Sequence, residues 1–146
     1  MKKYFSSSNM TGGYGGVDIL NNCGIEVNQG EISVVVGPNG AGKSTAMKAM
    51  LGMISLKSGE IILNGKDISD LTPEDRVAQG IAFVPQTMNI FSELTVKENL
   101  EMGAFLRNDN IEKTIEDVYK LFPILKDKKN QLAGELSGGQ RQQVAV

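Results

Sequence analysis

Gly37-Pro38-Asn39-Gly40-Ala41-Gly42-Lys43-Ser44-Thr45 collects the residue types that hold a phosphate chain. Glycines spread through such a loop let successive backbone N–H groups turn inward around an anion, where a Cβ would obstruct them. A helix starting at the end of the loop would point its unpaired N-terminal donors and its positive dipole end at the same spot. Lys43 adds a mobile full charge for the outer phosphates, and the hydroxyl of Ser44 is suited to ligate Mg²⁺. A second turn of related chemistry is Ser137-Gly138-Gly139-Gln140, following Leu136. There a serine hydroxyl, two glycines open to close backbone approach and the start of a helix again suit a negatively charged group.

These residues need elements to hold them. Glu31 to Val36 is β-branched and nearly continuous, which predicts a strand buried on both faces of a parallel sheet just before the loop. Ser44 to Met53, with apolar Ala46, Met47, Met50 and Leu51, predicts the helix after it. Upstream, Ile19-Leu20 and Ile25 to Val27 read as short strands around an Asn-Asn turn. Gly59 to Leu63 and Lys66 to Ile68 read as a hairpin closed by Asn64-Gly65. Thr72 as cap and Pro73 at the first helical position start a short helix that Gly80 closes, and Ile81 to Val84 predicts a second buried strand. From Thr95 the character becomes helical: Thr95-Val96-Lys97-Glu98 is a capping box. Ile111, Ile115, Val118 and Phe122 mark an amphipathic helix stopped by Pro123, and Lys126 to Asn130 reads as a solvated loop.

The chain's bulk properties narrow the partners. Its 146 residues carry a net charge of -2 with both signs interspersed, so no basic field covers the surface and no nucleic acid is expected as a partner. Cys23 is the single cysteine, which excludes an intrachain disulfide and reads as a small buried hydrophobe in a reducing compartment. The start, MKKYFSSSNM, has no apolar stretch behind its lysines and does not read as a secretory signal. No run reaches the roughly 18 apolar residues of a spanning helix, so a membrane role would act through a partner.

Two further matches join the glycine-rich loop and the LSGGQ turn. Tyr14, within Gly12-Gly13-Tyr14-Gly15-Gly16, lies 29 positions before Lys43, and Phe83-Val84-Pro85-Gln86 ends the second predicted strand. With these the sequence resembles the ATP-binding subunits of ABC transporters. The resemblance implies an α/β fold with a P-loop NTPase (RecA-like) core, an antiparallel β subdomain and an α-helical subdomain, incomplete at the C-terminus. Residues 1–94 would form the β subdomain and core, and residues 95–146 the helical subdomain with the start of the signature helix.

It also implies ATP and Mg²⁺ as cofactors. Tyr14 would stack on adenine, and Gly37, Pro38, Asn39, Gly40, Ala41, Gly42, Lys43, Ser44 and Thr45 would hold the phosphates. Ser44 and Gln86 would serve the metal, and Lys43 and Gln86 would be the catalytic residues. Ser137, Gly138, Gly139 and Gln140 would cover the γ-phosphate held by a second ATP-binding subunit packed head to tail, in a homodimer or heterodimer. Transmembrane permease subunits would complete the assembly at the cytoplasmic face of the membrane. FVPQTMNIFSELTVKENLEMGAF and YGGVDILNNCGIEVNQGEI look most like the ATPases of branched-chain or hydrophobic amino-acid uptake.

The family's Asp-Glu strand end and γ-phosphate-sensing histidine do not occur here, and the chain has no histidine at all. The expectation is therefore of a chain truncated just after the signature, folding poorly and turning over little ATP alone. Alternatives are a non-hydrolytic nucleotide-binding fragment and an ABC ATPase of DNA repair or translation. The repair type carries a long coiled coil between Gln86 and Ser137, where this chain has 51 positions without sustained heptads.

Overall fold

The computed structural model describes residues 3–146, which form two compact units, one ending at Ala82 and the other running from Phe83 to Val146. The first is built on four antiparallel strands: β1 (Lys3–Tyr14), β2 (Val17–Asn28), β3 (Leu56–Leu63) and β4 (Lys66–Asp67), in the order β2-β1-β3-β4. The strand at the start of the chain escaped the sequence reading because SSSNMTGG lacks the apolar alternation that marks a strand. The two short strands expected around Asn21-Asn22 are one strand, β2, which passes through the Asn pair without turning.

Asn9 in β1 and Asn22 in β2 take left-handed backbone conformations, with φ of 52° and 51°, which asparagine tolerates better than most residues. The register shifts between Ser7↔Ile25 and Met10↔Cys23, the signature of a bulge. As a result Ser7 and Met10 are both buried although three positions apart, as is Leu20, with Cys23 half-buried three positions on.

Helix α1 (Lys43–Met50) lies against this sheet. Ala49 and Met50 from the helix share one core with Met10, Leu20, Ile54, Ile61, Leu63 and Ile68, and Cys23 packs at its margin. The expected hairpin is present, Leu63 pairing with Lys66 across Asn64-Gly65, whose φ angles of 48° and 81° are those of a primed turn. Helix α2 (Pro73–Ala78) starts where predicted, with the Thr72 hydroxyl accepting from the Asp75 N–H at 3.2 Å.

The two buried parallel strands do not form. Residues 31–38 have no regular structure, and Ile32, Val34 and Val36 are 93%, 74% and 84% exposed; residues 81–85 are likewise irregular. A parallel strand exists only through the neighbours that take its hydrogen bonds. Among the described residues no strand runs beside either segment, so β-branched composition alone does not make strands of them.

The second unit is helical: α3 (Val96–Gly103), α4 (Glu112–Leu121), α5 (Pro123–Asp127), a single 3₁₀ turn at Ala133–Glu135, and α6 (Gly138–Ala145). Val96, Tyr119, Leu125, Ala133, Leu136 and Val144 are its buried core, with Ile115, Val118 and Phe122 packed against it as their spacing predicts. Pro123 ends α4 and, with its preset φ, opens α5. Lys126 and Asp127 are therefore helical, where a loop was expected, because Leu125 between Pro123 and them is drawn into the core.

This unit begins ahead of Thr95, where the sequence placed the change of character. Buried Asn99 ties in the last part of that stretch: its Oδ1 accepts from the Phe91 N–H at 2.8 Å, and its Nδ2 donates to the carbonyls of Phe91 (3.0 Å), Leu94 (3.3 Å) and Thr95 (2.9 Å). One side chain thus fastens the 91–95 segment to α3.

Candidate nucleotide site

The glycine-rich loop ends in helix α1 with Gly42 as its N-cap, in a left-handed conformation (φ 84°) that gives the helix no capping side chain. No acidic residue lies in the first turn, so the N-terminal donors and the positive end of the dipole stay available to an anion. The loop's own turn is closed by the Ala41 N–H donating to the Pro38 carbonyl at 3.2 Å. Lys43 folds back over it, its Nζ donating to the carbonyls of Gly37 and Pro38, both at 2.8 Å. The ammonium therefore hangs over the loop's concave side rather than extending from the helix. Asn39, Gly40, Ala41 and Ser44 are exposed, and Thr45 is buried.

Tyr14 closes the β1–β2 hairpin, pairing with Val17 across Gly15-Gly16. Both glycines have positive φ (57° and 84°), the requirement of a two-residue primed turn, so the glycine-rich stretch is an ordered hairpin tip. Tyr14 is 46% exposed, and the Lys48 Nζ lies 5.9 Å from the centroid of its ring. Helix α1 thus reaches both the glycine-rich loop, through Lys43, and the Tyr14 ring, through Lys48.

The helix is positioned from its far end. Gly52 (φ 75°) follows the C-cap Leu51, with the Met53 N–H donating to Lys48 O and the Gly52 N–H to Ala49 O, both at 2.9 Å; this is a Schellman motif. Buried Arg76 completes it. Its guanidinium donates to the carbonyls of Ala49 (3.1 Å) and Met50 (2.9 Å) at the helix end, and to those of Leu71 and Ser69 in the β4–α2 connection. Burial lowers the Arg76 pKa, with Asp70 and then Asp67 acting in the opposite direction, and the group stays charged because arginine starts so high. Nothing in the sequence near Pro73 marked Arg76, since its partners lie up to 27 positions away.

In the second unit Gln86 is exposed on a bend, in place of the strand end expected for it. With Thr87, Met88, Asn89, Ile90 and Ser92 it lines one side of a cleft of about 430 Å³ whose other side is Gly138, Arg141 and Gln142. The Asn89 Nδ2 donates to Gln142 Oε1 at 3.1 Å, so the segment after Gln86 and the first turns of α6 are tied together.

Helix α6 starts at the predicted place. Ser137 Oγ accepts from the Gln140 N–H at 3.4 Å, and Gln140 Oε1 accepts from the Ser137 N–H at 3.2 Å, a capping box. The Gln140 carboxamide oxygen is thereby engaged within the turn. The Ser137 hydroxyl proton remains free to donate, and the N–H groups of Gly138 and Gly139 have no acceptor in the described chain. Open space surrounds both glycines, which would leave an approaching anion unobstructed.

With this geometry in hand, residues 20–146 match the ABC transporter family model. The chain belongs to the ABC transporter family. It is 39% identical over 138 residues to a probable branched-chain amino acid transport ATP-binding protein of Archaeoglobus fulgidus, covering 94% of this chain and 58% of that protein. It is also 39% identical over 134 residues to a high-affinity branched-chain amino acid transport ATP-binding protein of Pseudomonas aeruginosa, covering 91% and 58%. A lactose transport ATP-binding protein of Rhizobium radiobacter shares 36% identity over 138 residues, covering 91% and 36%.

Among solved structures, an ATP-binding cassette of an ABC transporter in its ADP conformation superposes with a TM-score of 0.80 at 28% identity, covering 99% of this chain and 63% of that one. A nucleotide-free cassette gives 0.80 at 30% identity, covering 98% and 62%. The α/β fold with its antiparallel sheet is that of these cassettes. The chain spans a little under two thirds of the length of the relatives and cassettes it matches best here, and no described helix is long and apolar enough to cross a membrane.

Proposed function

We propose that this chain is the nucleotide-binding part of an ABC importer's ATPase subunit, which binds Mg-ATP and couples its hydrolysis to uptake. The observation that carries the reading is the phosphate loop. An uncapped helix start, a run of open glycines and a lysine already poised over the loop carbonyls make a cradle for a triphosphate. Tyr14 would take the base. Ser44 offers a hard hydroxyl oxygen beside the phosphates, the kind of donor that Mg²⁺ accepts alongside phosphate oxygens and water. Among the described residues no cluster of three carboxylate, histidine or cysteine side chains could hold a metal, which fits a cation delivered with the nucleotide. Gln86 is assigned the metal and the attacking water by resemblance.

The turn at Ser137 is assigned to a second subunit's nucleotide. Its hydroxyl proton and the Gly138 and Gly139 N–H groups are the donors such a γ-phosphate needs. Each site would then draw on two chains, as a symmetric head-to-tail dimer requires. Permease subunits would hold the pair at the membrane. Branched-chain amino acids are the proposed cargo, supported by the names of the two 39% relatives.

The test is Mg-ATP binding by calorimetry. Lys43→Ala is expected to weaken it by roughly 10- to 100-fold, the worth of a charge-assisted contact. Unchanged affinity would reject the site. Uptake of labelled leucine against labelled lactose, in a transporter assembled around the subunit, tests the cargo.

A further inference from the structure

Outside the glycine-rich loop and the Ser137 turn, Lys48 has a distinct setting. This lysine sits in the last turn of α1, and its ammonium lies 5.9 Å from the centroid of the Tyr14 ring, within the roughly 6 Å over which a cation is held by an aromatic face. No carboxylate pairs with it: the six ion pairs among the described residues involve other lysines and Arg107. Its recorded partner is the ring.

Resting on the nucleotide-site reading above, we propose that Lys48 is a positioning residue for the nucleobase: it covers one face of Tyr14, fixes the ring and leaves the other face as the stacking platform. Three features point this way. The tip carrying Tyr14 is a two-residue glycine turn, whose neighbours Gly15 and Gly16 offer no side chain to hold the ring. Tyr14 is nearly half exposed, which leaves part of its surface accessible to a ligand. Finally, Lys48 stands on the helix that carries Lys43 and Ser44 at its other end. Because α1 is clamped at its end by Arg76, Lys48 would set the platform at a fixed distance from the phosphate cradle. A base and a triphosphate belonging to one molecule need that fixed separation.

The experiment measures the dissociation constants of Mg-ATP and of Mg-tripolyphosphate, which has no base, on the full chain. Lys48→Met keeps the stem and removes the charge. It is expected to weaken ATP about two- to five-fold, the range of an exposed cation–ring contact, while leaving tripolyphosphate unchanged. Lys48→Arg should retain ATP affinity. In a Tyr14→Leu background, Lys48→Met should have no further effect.

Equal weakening of both ligands would make Lys48 a phosphate charge and overturn the proposal, as would unchanged or tighter ATP binding, which would mean that the lysine obstructs the ring. If the unsubstituted chain bound neither ligand, the nucleotide-site reading would itself fall, and this inference with it.

Discussion

Helices α1 and α6 both begin at glycine-containing turns, yet they are held by opposite ends. Helix α6 is secured at its start, where Ser137 and Gln140 exchange hydrogen bonds. Helix α1 has no side-chain cap at its start and is secured at its finish, by the Gly52 Schellman turn and the Arg76 guanidinium. The difference separates two ways of offering backbone donors to an anion. At α6 the serine satisfies the Gln140 N–H and leaves those of Gly138 and Gly139, a narrow and rigid presentation. At α1 the whole first turn is left uncapped beside the Lys43 ammonium, a broad set of donors whose stability must come from elsewhere in the fold.

If α1 is truly held from behind, Arg76→Ala should be the most damaging change. It leaves four main-chain carbonyls, two of them at the helix end, without their buried donor. A loss of about 3 kcal/mol is expected, read as a lower urea midpoint followed by circular dichroism. A near-normal midpoint would move the anchor of α1 to another contact.

Ser137→Ala should cost about 1 kcal/mol, the usual value of a lost N-cap, seen as faster amide exchange in the first turn of α6. Ser137→Asp sharpens the contrast. It restores the cap and the exchange protection, but sets a negative charge where the proposed phosphate would sit, so stability and nucleotide-dependent pairing should part company.

The smallest effect distinguishes the capping box of α3 from that of α6. The Glu98 carboxylate accepts from the Thr95 hydroxyl and N–H, both at 2.7 Å, and these bonds, the hydroxyl first, lower its pKa from the ordinary 4.5. A depressed carboxylate contributes its stability fully above the unfolded value and loses it as pH falls through the lower native value. The start of α3 should therefore begin to loosen below about pH 4.5, while the corresponding Gln140 box at α6, having no titrating group, should not. Amide exchange of both turns against pH checks this, and Glu98→Gln should abolish the difference.

Helix starts were legible because their causes are local. Thr72, Thr95 and Ser137 each meet the N–H three positions on, a relation printed in the sequence itself. The Asn64-Gly65 turn and the helical face through Ile115, Val118 and Phe122 were legible for the same reason. The candidate site was proposed from residue types alone: the glycine run, Lys43, Ser44 and Tyr14. What stayed hidden depends on distant partners, as with Arg76 reaching Ala49, Asn99 gathering the 91–95 segment, and Lys48 meeting Tyr14.

The irregular segments 32–36 and 81–84 show the same division from the other side. Their composition declares a preference for extended backbone, and that much the sequence alone determined, together with the caps, the tight turns and the glycine-rich loop that precedes α1. Whether extended backbone becomes a strand, which end of α1 bears its anchor, and which ring Lys48 covers were decided only in the tertiary structure. A ladder, a buried guanidinium and a cation–ring contact each need a partner that the chain supplies from far away or not at all, and no local preference can stand in for that partner.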